Sequence, residues 1–122
     1  MLGYVTLGTN NLDKSAAFYD ALAKEMGAKR TMETEKFIAW GAPNLANLFL
    51  IKPADGKAAT VGNGVMAALV ARDAGQVDRI YKLAMSMGGK DEGPPGDRGG
   101  GFYAAYFRDL DGNKLNCFHH GG

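Results

Sequence analysis

The sequence predicts an α+β fold. Two tandem βαβββ modules form a partly closed, barrel-like sheet around a concave cavity, with the helices outside. Three observations carry that prediction. A unit of roughly 60 residues occurs twice, and repetition at such a period sets architecture before any single residue does. Tyr19 answers to Tyr81 and Gly27 to Gly89 at one common offset, and Asn47 to Asn113 at a slightly larger one, so a few residues were inserted mid-unit. Each copy also runs from an alternating strand pattern into a helical one and back into strands.

The elements follow in order. Residues 3–8 alternate apolar with small or polar side chains, as a strand does. Asn11 is placed to cap the following helix, where Leu12, Tyr19, Leu22, Ala23 and Met26 share a face before Gly27 stops it. Residues 29–34, Phe37 to Trp40 and Leu48 to Ile51 read as three strands, the last two joined by a hairpin at Gly41-Ala42-Pro43-Asn44. Pro53 to Gly64 reads as the connection between modules. A strand at Val65–Ala71 leads to a second helix with Val77, Ile80, Tyr81, Ala84 and Met87 on one face, closed by Gly88-Gly89. Residues 91–101, rich in glycine with two prolines, read as the most flexible segment. Strands at Phe102–Arg108 and Lys114–His119 then flank Asp109-Leu110-Asp111-Gly112-Asn113, a turn in which Asp-Gly supplies the positive φ. The expected boundaries are module 1 at about 1–54, a linker at 55–63 and module 2 at about 64–120, all in one domain spanning 1–122.

Bulk properties narrow the function classes. A chain of 122 residues with 46% apolar and 22% charged residues suits one soluble globular domain. A net charge of +1 without a basic run argues against nucleic acid or an anionic membrane as partner. Cys117 is the only cysteine, so no internal disulfide forms and a reducing, cytoplasmic setting is expected. The chain enters its first strand without a leader-like segment, and no stretch is long and apolar enough to span a bilayer.

The stretch Asp109-Leu110-Asp111-Gly112-Asn113-Lys114-Leu115-Asn116 resembles the last hairpin of the glyoxalase/bleomycin-resistance/dioxygenase group, the vicinal oxygen chelate superfamily. Val5-Thr6-Leu7 followed by Asn11-Leu12 and Phe18-Tyr19 is similar to that family's opening strand and helix. The likeness covers essentially the whole chain in the family's order. It implies paired βαβββ modules, a cavity often completed in a homodimer and, in the enzymes, a divalent metal held by the first and last strand of each module. Those positions fall on Tyr4, Leu50, Met66 and Asn116. None is His, Asp, Glu or Cys, so the expectation is that the metal site is lost and no cofactor is bound.

What remains is a pocket. Alternation that turns Asn116 inward also turns Phe118 inward and leaves Leu115 and Cys117 against the helix. The same argument turns Tyr4, Thr6, Met66 and Ala68 inward. In the related fosfomycin-resistance branch a tyrosine three residues before the hairpin aspartate contacts ligand, which implies the same of Tyr106. Arg98, in the glycine-rich segment, would pair with a carboxylate or phosphate as a lid residue and do nothing as a solvated loop residue. The expected ligand-binding set is Tyr4, Met66, Arg98, Tyr106, Asn116 and Phe118, taking a small, partly aromatic or amphipathic molecule. The same side chains would serve equally well as core filling, except that burying an unpaired Asn116 amide costs roughly 1–3 kcal/mol.

Other features carry less. Cys117, His119 and His120 cannot converge from one strand, because alternation puts His120 on the face opposite the other two. Trp40 fits either face. No nucleophile pairs with a base at a recognisable spacing: Ser15 and Ser86 lie within helices and no Gly-x-Ser-x-Gly occurs. Asp109 and Asp111 most simply serve the hairpin. The rival to a metal-free binding protein is a glyoxalase-type lyase or isomerase, or a dioxygenase, using a divalent metal from other ligands such as His120 with Glu33 or Glu35. The plainest class is an interaction protein whose cavity is a packed core.

Overall fold

The computed structural model describes residues 1–121. Eight strands and two helices follow one another as β1 (Tyr4–Gly8), α1 (Leu12–Met26), β2 (Lys29–Glu33), β3 (Phe37–Gly41), β4 (Asn47–Ile51), β5 (Ala67–Val70), α2 (Ala74–Ser86), β6 (Lys90–Asp97), β7 (Phe102–Arg108) and β8 (Lys114–His120). Each half is βαβββ. Sheet 1 has the order β1-β4-β3-β2 and sheet 2 the equivalent order β5-β8-β7-β6. In each, the strand before the helix pairs parallel with the last strand and the rest pair antiparallel. No ladder joins the two sheets among the described residues.

Local chemistry places the helices as expected. The Asn11 side chain accepts from the Lys14 amide, and Gly27 closes α1 in the left-handed region at φ 73°. Asp73 does the same service for α2 by accepting from the Gln76 amide at 2.7 Å. The helices pack against each other and against the inner faces of both sheets, and one hydrophobic core results. Leu7, Ile38, Trp40 and Leu50 enter it from sheet 1; Ala105, Phe107, Leu115 and Cys117 enter it from sheet 2. Phe18 of α1 bridges the halves through Phe107, their rings 6.4 Å apart.

Two elements depart from the pattern. Residues 91–97 of the segment expected to be the most flexible belong to β6, an eight-residue strand containing Pro94 and Pro95, while 98–101 form the turn that follows. The strand lies at the sheet edge, and its register shifts between Asp91 and Gly93 and again between Gly93 and Gly96, so the prolines fall where no ladder bond is missed. The strand expected at Val65–Ala71 is shorter, Ala67–Val70, with Val65 and Met66 exposed before it.

Candidate functional site

Each sheet has one face in the core and one face open. On β8, Leu115 and Cys117 are buried in the core, so Lys114, Asn116, Phe118 and His120 belong to the open face. On β7, Phe102, Ala104 and Tyr106 share that face, Tyr106 lying opposite Asn116 in register. Arg98 follows β6 and turns back over the sheet. Its Nη2 donates to the carbonyls of Pro94 and Ala104, and the guanidinium lies 5.5 Å from the Tyr106 ring centroid. Lys114 Nζ lies 5.5 Å from the same centroid.

Asn116 is 2% exposed and its Nδ2 donates to the Ala105 carbonyl at 3.3 Å. No wholly buried side-chain nitrogen or oxygen among the described residues lacks a partner, and no protein donor reaches Asn116 Oδ1, so that oxygen keeps access to the open face. Farther along the face, Phe102 stacks on Phe118 at 5.4 Å and 23°, while His120 Nε2 approaches the Gly100 carbonyl at 3.2 Å. A recess of about 530 Å³ runs between residues 61–66 and the Arg108–Lys114 pair, with Met66 in its wall.

Five of the six expected ligand-binding residues, Met66, Arg98, Tyr106, Asn116 and Phe118, thus gather on or beside one face of sheet 2. Tyr4 does not join them. It is 61% exposed on the open face of sheet 1, where its ring meets Phe49 at 4.6 Å and Phe37 extends the aromatic row. Leu50 is placed differently from the expectation: it is 0% exposed in the core beside α1, and its neighbours Phe49 and Ile51 occupy the open face instead. Since side chains alternate along a strand, a one-residue error in register exchanges the faces. The four positions expected around a common hollow are therefore not brought together within one chain.

Nor does the chain assemble the rival set. Glu33 pairs with Arg30 on β2, and it lines, with Glu35, a polar recess of about 700 Å³ beside the start of α1 that His120 does not reach. No three His, Cys, Asp or Glu side chains converge among the described residues. Trp40 settles on the core side, its Nε1 donating to Asp20 at 2.8 Å. The Cys117 thiol is pushed up to about 12 by burial.

With two βαβββ modules, an Asp-Leu-Asp-Gly-Asn hairpin and an open face in place, the likeness to known proteins can be weighed. Residues 1–117 match the family model of the Glyoxalase/Bleomycin resistance protein/Dioxygenase superfamily. The chain belongs to that superfamily. A glyoxalase/bleomycin resistance protein from Albidiferax ferrireducens T118 superposes with a TM-score of 0.92 at 33% identity over 99% of both chains. A hypothetical protein from S. aureus, SA1046, follows at 0.74 and 27% identity, over 95% of this chain and 91% of that one. Lactoylglutathione lyase from Agrobacterium tumefaciens, at 0.72 and 19% identity over 98% and 92%, shares the fold. No curated protein matches.

Within this superfamily frame, two residues of the face escaped the sequence reading: Lys114 and Phe102. The signal for both was available, because alternation from Asn116 reaches Lys114 and alternation from Tyr106 reaches Phe102. The hairpin aspartates do more than turn the chain. Asp109 accepts the Tyr19 phenol at 2.6 Å and Asp111 accepts the Ser15 hydroxyl at 2.7 Å, while Asn113 Nδ2 donates to the Gly8 carbonyl, so the family hairpin clasps module 2 onto module 1.

Proposed function

We propose that this protein is a small-molecule-binding member of the superfamily that works without the family metal. It takes a partly aromatic or amphipathic compound on the open face of sheet 2, and the open face of sheet 1 from a second copy closes the cavity. The observation that carries this reading is the convergence of Arg98, Tyr106, Asn116 and Phe118 on the face of sheet 2 turned away from the helices, where among the described residues no other helix or strand packs. Ala68, exposed on β5 opposite Asn116, leaves room beside them for a flat molecule.

The donor chemistry does not fit a divalent ion. On β1, β4, β5 and β8, the strands that would supply ligands, the open-face residues include one histidine, His120, and no aspartate, glutamate or cysteine. Pairing two copies adds no carboxylate to these strands, and one imidazole beside amide and thioether groups does not hold Zn²⁺, Mn²⁺ or Fe²⁺.

Thermal melting of the protein against a panel of aromatic and amphipathic compounds tests the reading. A compound at 100 times its Kd adds about 2.7 kcal/mol of stability. Tyr106→Ala and Phe118→Ala are expected to abolish that increment with the secondary structure retained. Stoichiometric metal in untagged protein would favour the lyase or dioxygenase alternative, and a panel without any shift would favour the interaction protein.

A further inference from the structure

The open face of sheet 2 has one corner whose positive charge the protein does not neutralise. Arg98 and Lys114 both lie 5.5 Å from the Tyr106 ring centroid, and neither forms an ion pair within 4 Å among the described residues. The third cation of this corner, Arg108, is satisfied: it pairs with Glu92 at 2.7 Å and donates to the Gly112 carbonyl. The other acids of the β6 edge are engaged too. Asp91 accepts from the Tyr81 phenol and the Gly93 amide, and Asp97 from the Gly99 amide. Two cations of like sign drawn onto one ring repel each other, and a cation–π contact offsets only part of that.

The arrangement is also built rather than left to chance. Two carbonyls fix one guanidinium nitrogen of Arg98, while its Nε and Nη1 have no protein partner among the described residues. Gly93 makes room: a Cβ there would sit 3.3 Å from Tyr106 Cδ1 and 3.4 Å from Arg98 Nη2, on a backbone at φ 156° that side chains disfavour. An anchored guanidinium with free N–H groups beside an unpaired ammonium is a receptor for an oxyanion.

The rest of the face says what the anion is attached to. Tyr106, Ala104 and Phe102 alternate along β7 and Phe118 lies opposite Ala104, so the stacked Phe102–Phe118 pair begins about 7 Å from Tyr106 and ends about 13 Å from it. Ala104 is fully buried opposite Phe118, so the half-buried rings of Tyr106, Phe118 and Phe102 supply the apolar surface. We propose that the ligand is an amphipathic oxyanion. Its carboxylate or phosphoryl head is held by Arg98 and Lys114, and its flat apolar body runs from Tyr106 along Phe118 toward Phe102. This inference rests on the reading of sheet 2 as a ligand face and adds the ligand's charge and orientation.

Calorimetric titration of the full chain with phenylphosphonate, benzoate and the uncharged benzyl alcohol tests it. The expected result is that the better anion binds roughly tenfold or more tightly than the alcohol, with amide shifts in NMR confined to β6, β7 and β8. That margin narrows as salt is raised. Arg98→Gln and Lys114→Gln each remove most of it, read as the ratio of anion to alcohol affinity within each variant. The Lys114 ammonium has no hydrogen-bond or ion-pair partner among the described residues, so its variant breaks no contact that holds the fold. Arg72→Gln, an exposed cation outside the face, changes nothing. Which anion binds better identifies the head group, planar or tetrahedral. Equal affinity for anion and alcohol would overturn the charge assignment and spare the ligand face, as would anion binding that survives both substitutions. Binding of no probe, together with a melting panel that shows no shift, would overturn both.

Discussion

Tyr19 shows how a single side chain carries more than its hydropathy. Helical spacing marks it as a core residue, and it is buried, yet its phenol donates at 2.6 Å to Asp109, 90 positions away. Nothing local announces that partner. Asp109 is itself buried and also accepts the Asp111 and Asn113 amides and Asn113 Nδ2, so Tyr19 supplies one of several bonds to an enclosed carboxylate. Tyr19→Phe is expected to cost about 1–3 kcal/mol, read as a lower denaturant midpoint, because the acceptor stays buried with one bond fewer. Burial, and then the nearby Asp109 charge, raise the Tyr19 phenol well above its ordinary value of 10.0. The folded state therefore holds this proton more tightly than the unfolded one. The associated stability is complete below pH 10 and is lost as pH rises beyond it, a dependence the Phe variant should flatten. Cys117 makes the opposite kind of statement. Its thiol, raised to about 12 by burial alone, is packing, and native protein is expected to react with a thiol reagent only as fast as it unfolds.

Elements expose where sequence patterns suffice and where they mislead. Both helices and seven of the strands follow from apolar spacing and caps, since these signals act within a few residues of their effect. β6 does not, because glycine and proline advertise a loop; only its place at the edge of sheet 2, with bulges at the prolines, makes a strand of it. The pair Gly88-Gly89 is similar. Sequence suggests a helix stop, and Gly88 does take φ 95° after α2. Gly89 serves another purpose: a Cβ there would meet the Ala84 and Arg108 carbonyl oxygens at 2.8 and 2.9 Å and Phe18 at 3.2 Å. Backbone atoms on two sides cannot yield. Gly89→Ala is therefore expected to destabilise by about 1–3 kcal/mol in thermal or denaturant unfolding, while Gly3→Ala, with open space around it, should be neutral.

The whole molecule presents two open faces that a single chain leaves uncovered, and edge strands β1 and β5 that pair on one side only. Tyr4, Met32 and Val70 stay well exposed on them. Burying such surface against a second copy is the expected resolution. Sedimentation should give about twice the chain mass of 12.9 kDa, and Tyr4→Lys, at a site that supports no core contact, should shift it toward one copy. The sequence by itself determined the duplication, the order of every element but β6, and the face on which Asn116 and Phe118 lie, because alternation and helical period are local geometry; the face of Tyr106 was implied by the family resemblance. Tertiary structure decided what those faces meet. Whether Leu50 looks into a hollow or a core depends on a register of one residue. Whether Arg98 is a solvated loop side chain or an anchored one depends on carbonyls of Pro94 and Ala104 that only the folded sheet brings within reach.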